Sequence, residues 1–161
     1  IKPSKYIGIW WGMIVGKWTW GEGPRHGATV DRAKKYIDFA AKNGFDEVLI
    51  EGISAGFTGL FPGDTVTTSF TETTSDFDLE LVQHYAKSRG VSLQSYQESS
   101  ASTRNYLIQV DTAFAQLKSF SFIFLLPLGN SHSLISYDVS DRLTKELIVI
   151  NVSFFTIPSF K

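Results

Sequence analysis

The clearest chemistry in this sequence belongs to two carboxylates. Glu51 closes the apolar run that starts at Glu47, and Glu98 closes the run that starts at Val91. If the two runs are neighbouring parallel strands, these ends lie together, because adjacent strands are ~4.8 Å apart. Carboxyl pairs separated by ~5–9.5 Å serve acid/base or nucleophilic cleavage of glycosidic bonds. The same spacing suits two solvated Glu side chains at a sheet rim. All four Trp fall nearby in sequence, at positions 10, 11, 18 and 20. Aromatic faces stack on the apolar side of sugar rings, and they also fill cores. Trp10 and Trp11 would alternate across a strand. Trp18 and Trp20 stand in a Gly-rich stretch better suited to surface contact, with Lys17 placed to bond a hydroxyl or simply to be solvated.

Other chemistries find little support. There is no G-x-G-x-x-G or Walker pattern for phosphates, and no G-x-S-x-G elbow for a serine hydrolase. His26, His84 and His132 lack metal-ligand spacing, and His84 reads as an exposed helix residue. Asp76 and Asp78 read as helix-capping acids. With no Cys, disulfides, thiolate metal sites and Cys nucleophiles are excluded. A net charge of −1 leaves no cationic excess for nucleic acid. No run approaches the ~18 apolar residues of a membrane span.

The elements that must position these residues alternate. Residues 6–13, 47–52 and 91–98 read as buried strands. A helix follows the first, with Thr29 as cap, Val30, Ala33, Ile37, Ala40 and Ala41 at helical spacing, and Gly44 as stop. After a long polar loop over residues 54–74, Ser75 and Asp78 offer a capping box for a second helix. Its apolar face reads as Phe77, Leu81 and Tyr85, with Val82 beside them. Ser102 or Thr103 would cap a third, carrying Leu107, Val110 and Phe114. This is a β-α alternation, hence an α/β fold with a parallel sheet. A (β/α)8 barrel takes at least ~200 residues, so 161 could hold four units at most.

Several ordered segments resemble the catalytic barrel of glycoside hydrolase family 97. They are Tyr6-Ile-Gly-Ile-Trp-Trp-Gly-Met-Ile-Val-Gly-Lys17, His26-Gly-Ala-Thr29, the segment from Lys35 to Asp46, Val48-Leu-Ile-Glu-Gly52, Asp76-Phe-Asp-Leu79 and Tyr85-Ala-Lys-Ser-Arg-Gly-Val91. The resemblance covers residues 1–115. It implies a partial (β/α)8 barrel of three to four units and a glycosidase acting on α-linked glucosides or galactosides, of the starch-utilisation type. It places Glu51 in the sugar pocket, makes Glu98 one of the groups that hold the attacking water in inverting members, and sets Trp11 and Lys17 near the substrate. The family pattern E-G-W-N reads Glu51-Gly52-Ile53-Ser54 here, which removes an aromatic wall. The pattern H-H-E-T reads Tyr96-Gln97-Glu98-Ser99, so Tyr96 replaces a substrate-binding His.

The family's K-T-G-Y strand, its H-E segment and its downstream Glu cluster have no counterpart in these 161 residues. The resemblance assigns the general acid, the main base or nucleophile, and most calcium ligands to those segments. It thus implies calcium for the family but no cofactor site within this chain, and a catalytically incomplete, purely sugar-binding or non-functional piece. An oligosaccharide is the implied partner, and a periplasmic or secreted location is implied. Residues 116–161 differ in composition, with a single Gly and no Ala or Trp. They read as a divergent tail with a strand within 119–128, a short helix at 141–147 and a strand at 148–157. An incomplete barrel leaves open strand edges, so self-association is expected.

Overall fold

The computed structural model describes residues 4–57, 68–96, 109, 112–113, 122–127, 134–138 and 149–150. Among the described residues, six strands form one sheet in the order β1 to β6: β1 (Tyr6–Ile9), β2 (Glu47–Ile50), β3 (Ser92–Tyr96), β4 (Phe122–Pro127), β5 (Leu134–Asp138) and β6 (Val149–Ile150). The first four are parallel, and β5 and β6 add antiparallel. The expected fourth strand is therefore present as β4. No strand was expected at β5. The expected helix at 141–147 lies outside the described residues. So does most of the one after Ser102 or Thr103, although Gln109, Thr112 and Ala113 are helical.

Helix α2 (Val30–Asn43) connects β1 to β2, and its ends are where the sequence put them. The Thr29 hydroxyl accepts from the Arg32 N–H, Asp31 and Lys42 suit the two ends of the macrodipole, and Gly44 takes a left-handed φ of 69°. Ala33, Ile37 and Ala40 form its buried stripe.

Helix α3 (Leu79–Ser88) corrects the expected start. Its cap is Asp78, whose carboxylate accepts from the Leu81 N–H at 2.9 Å, and not Ser75. Phe77 then precedes the cap and shares the core with Val82, the fourth helical residue, as a hydrophobic staple does. Val82 and Ala86 face inward, leaving Leu81 45 % exposed.

The first strand is also shorter than residues 6–13. After Ile9 the chain turns into a short helix, α1 (Trp11–Ile14), in which the Trp10 carbonyl accepts from the N–H groups of Met13 and Ile14. The turn is held from outside. A Cβ on Gly12 would lie 2.2 Å from the Trp18 ring, so only Gly lets that indole close over α1.

Strand alternation divides the sheet into two chemical faces. Ile9, Val48, Ile50 and Leu93 share one core with Ala33, Ile37 and Ala40 of α2 and with Val82 and Ala86 of α3. The opposite face carries Tyr6 on β1, Glu47 and Leu49 on β2, and Gln94 and Tyr96 on β3. The Gln94 side-chain amide donates to the Glu47 carboxylate on that face, and both are buried.

Candidate active site

Parallel α/β sheets bind ligands at the C-terminal ends of their strands. Here the register aligns Ile9 with Ile50 and Ile50 with Ser95. One residue further along, Trp10, Glu51 and Tyr96 form a row across the three strand ends, on the polar face. Glu51 is only 7 % exposed, and its N–H donates to the Ile9 carbonyl at 3.2 Å. Tyr6 stands lower on the same face. Its phenol is pushed above the ordinary tyrosine value, first by burial and then by the negative charges of Glu51 and Glu47. The Tyr6 proton therefore stays in place at neutral pH.

The other expected site residues are spread around this row. Trp11 belongs to α1 rather than a strand, is 60 % exposed, and meets Trp10 edge-to-face at 5.4 Å. It is the Trp with the most open face. Trp18 and Trp20, expected at the surface, are half-buried against the core. One face of Trp18 is taken by the Arg32 guanidinium, 3.8 Å from the ring centre, and Trp20 leans on Phe57. Lys17 is exposed, with its ammonium 5.6 Å from the Trp18 centroid. Tyr96 is half-buried at the end of β3. Glu98 lies outside the described residues.

Two residues that had seemed structural or inert meet at this end of the sheet. His26 was expected to have no special role and Asp76 to cap a helix. The His26 side chain is instead fully buried, with Nδ1 3.0 and 2.8 Å from the two Asp76 carboxylate oxygens. Its Nε2–H donates to the Gly52 carbonyl at 3.1 Å. Both ring nitrogens thus face acceptors. Burial alone would raise the Asp76 carboxyl, but hydrogen bonds from His26 and Thr74, the charge of His26 and a backbone hydrogen bond together outweigh it and hold it below the usual carboxylate range. A signal was present in the sequence: Asp76 and Asp78 are two acids where one cap suffices.

These contacts lace the loops over the strand ends together. Arg32 Nη1 donates to the carbonyls of His26 and Gly27 at 2.7 and 2.6 Å. The Glu22 carboxylate accepts from the Ser75 N–H, which joins the loop after β1 to the loop before α3. Among the described residues, no three His, Asp or Glu side chains gather where they could hold a metal ion.

A parallel α/β sheet with a buried carboxylate at its strand ends is the architecture of barrel glycosidases, and comparison with known proteins agrees. The family model for glycoside hydrolase 97 matches residues 10–123. Three solved structures of a family 97 enzyme from Pseudoalteromonas sp. strain K8 share 38 % sequence identity with this chain and superpose with a TM-score of 0.69. One holds acarbose, one is a variant with panose, and one is a further variant. The match covers 84 % of this chain and 22 % of the enzyme. The chain belongs to glycoside hydrolase family 97. The parallel part of its sheet is a partial (β/α)8 barrel, and no helix among the described residues is long and apolar enough to cross a membrane.

Proposed function

We propose that this chain supplies part of a glycoside hydrolase site for α-linked glucosides or galactosides. The observation that carries the reading is the row of Trp10, Glu51 and Tyr96 across adjacent strand ends, with Glu51 its buried member. The similar enzyme from Pseudoalteromonas was solved with acarbose and with panose, which supports an oligosaccharide ligand here. In this reading Trp11 and Trp18 border the sugar, Lys17 and Tyr96 bond its hydroxyls, and Glu51 accepts hydroxyl hydrogens from within the pocket. Glu98 holds the attacking water.

Cleavage also needs a carboxylic acid to protonate the leaving oxygen. The family segments that would carry it have no counterpart in this sequence. The reading for the 161 residues is therefore sugar binding with an incomplete catalytic set, calcium and the acid being supplied from elsewhere in a full barrel. A periplasmic or secreted location and self-association through the edge of β1 belong to the same proposal. Sedimentation over a range of concentrations reads the second.

The test is hydrolysis of p-nitrophenyl α-glucoside and α-galactoside, with and without calcium. No turnover above the solvent rate is expected from this chain under either condition. Turnover that Glu98→Gln abolishes would overturn the incomplete-set reading.

A further inference from the structure

The peptide that follows Glu51 is held in an unusual way. Gly52 has φ of +83°, and a Cβ there would lie 3.1 Å from the Trp20 carbonyl oxygen. The chain leaves β2 through a left-handed residue beneath a packed loop, a conformation that residues other than Gly rarely take. On one side of this turn the Glu51 N–H is tied to β1 through Ile9. On the other, the Gly52 carbonyl receives the Nε2–H of His26. His26 is itself anchored by Asp76, 50 residues away, and its own carbonyl is gripped by Arg32.

We propose that His26 is the positioning residue for Glu51. Its buried imidazole reads the direction of the Gly52 carbonyl and so fixes the backbone that aims the Glu51 carboxylate along the strand-end row. The inference rests on the sugar-pocket reading of Glu51 for its consequence, but not for its geometry. Three segments meet on one ring: the loop after β1 through His26, the end of β2 through Gly52, and the loop before α3 through Asp76. A residue needed only for the tie between the two loops would require the Asp76 bond alone. The bond to Gly52 adds a function that the tie does not need.

The two bonds can be separated by isosteres. His26→Asn keeps a donor near the Nδ1 position, toward Asp76, and removes the one toward Gly52. His26→Gln keeps a donor near the Nε2 position and removes the other. Two readouts are taken on the full chain: amide hydrogen exchange at Glu51 in sugar-free protein, and the Kd for maltose from Trp fluorescence. With His26→Asn, exchange at Glu51 should rise about tenfold and maltose binding should weaken about tenfold, the scale of one lost buried hydrogen bond. His26→Gln should stay within about threefold of the unsubstituted chain in both.

Equal protection of Glu51 in the two variants overturns the proposal. The exchange contrast without maltose binding by any of the three proteins upholds the positioning role and rejects the sugar pocket. Should His26→Asn fail to fold, Asp76→Asn decides the matter. It leaves the bond to Gly52 in place, so Glu51 should remain protected, and loss of that protection overturns the proposal.

Discussion

Ile50→Ala should lower the stability of this protein by about 4 kcal/mol, near the top of the range for a fully buried aliphatic side chain. Ile50 has no exposed surface and sits in the core shared by the sheet, α2 and α3. It also directly precedes Glu51. Truncation removes three methyl or methylene groups and leaves a cavity in a close-packed core that the sheet shares with Ala33, Ile37 and Ala40 of α2 and Val82 and Ala86 of α3. A domain of this size has ~5–15 kcal/mol in all, so most or all of the folded population is at stake. The midpoint of thermal unfolding should fall by roughly 8–16 °C. Ile50→Val, losing one methyl, should cost about 1 kcal/mol. Equal losses from the two substitutions would show that the site relaxes around the gap and that the core is looser than described.

His26→Ala should cost about 3 kcal/mol. It breaks a buried charge-assisted pair, leaves the Gly52 carbonyl unsatisfied, and opens a cavity under the loops. The value sits at the low end for such pairs because the Asp76 side chain is 32 % exposed and water can replace part of what is lost. The effect has a pH signature. The folded-state Asp76 carboxyl lies below its usual value, which is ~3.9 in an unfolded chain. Its pairing therefore contributes fully above that value and is lost as pH falls through the folded one. Denaturant unfolding of the unsubstituted and His26→Ala proteins should show a gap that is wide at about pH 5 and narrows toward about pH 2. A gap independent of pH over that window would show that His26 contributes by packing alone.

What could be read from the sequence was mostly local. The ends of α2 follow from Thr29, Lys42 and Gly44, each acting on its own helix terminus. Glu51 was recognisable because a short apolar run and a Gly bracket it at a strand end. The features that escaped depend on residues far apart in the chain. Trp10 to Met13 is apolar enough to pass for strand, and what turns it into α1 includes Gly12 lying under Trp18. Trp18 looks like a surface aromatic until Arg32, from the face of a helix 14 positions on, covers it. Asp76 resembles a cap because it stands two residues before one. Its partner, His26, lies in a loop after a different strand. The inner face of α3 follows the sequence at Phe77, Val82 and Tyr85 and departs from it at Leu81, which turns outward while Ala86 takes an inward place.

The central claim is that the strand-end row around Glu51 binds sugar. Its most direct test is a titration of the full chain with maltose, followed by Trp fluorescence, beside the same titration of Glu51→Gln. Trp10, Trp11 and Trp18 stand at or beside the row, so a bound sugar should change their emission. The account predicts saturable quenching, weakened about tenfold by Glu51→Gln, the scale of a lost hydrogen bond to a charged group. Quenching that never saturates, or saturation that Glu51→Gln leaves untouched, would contradict it.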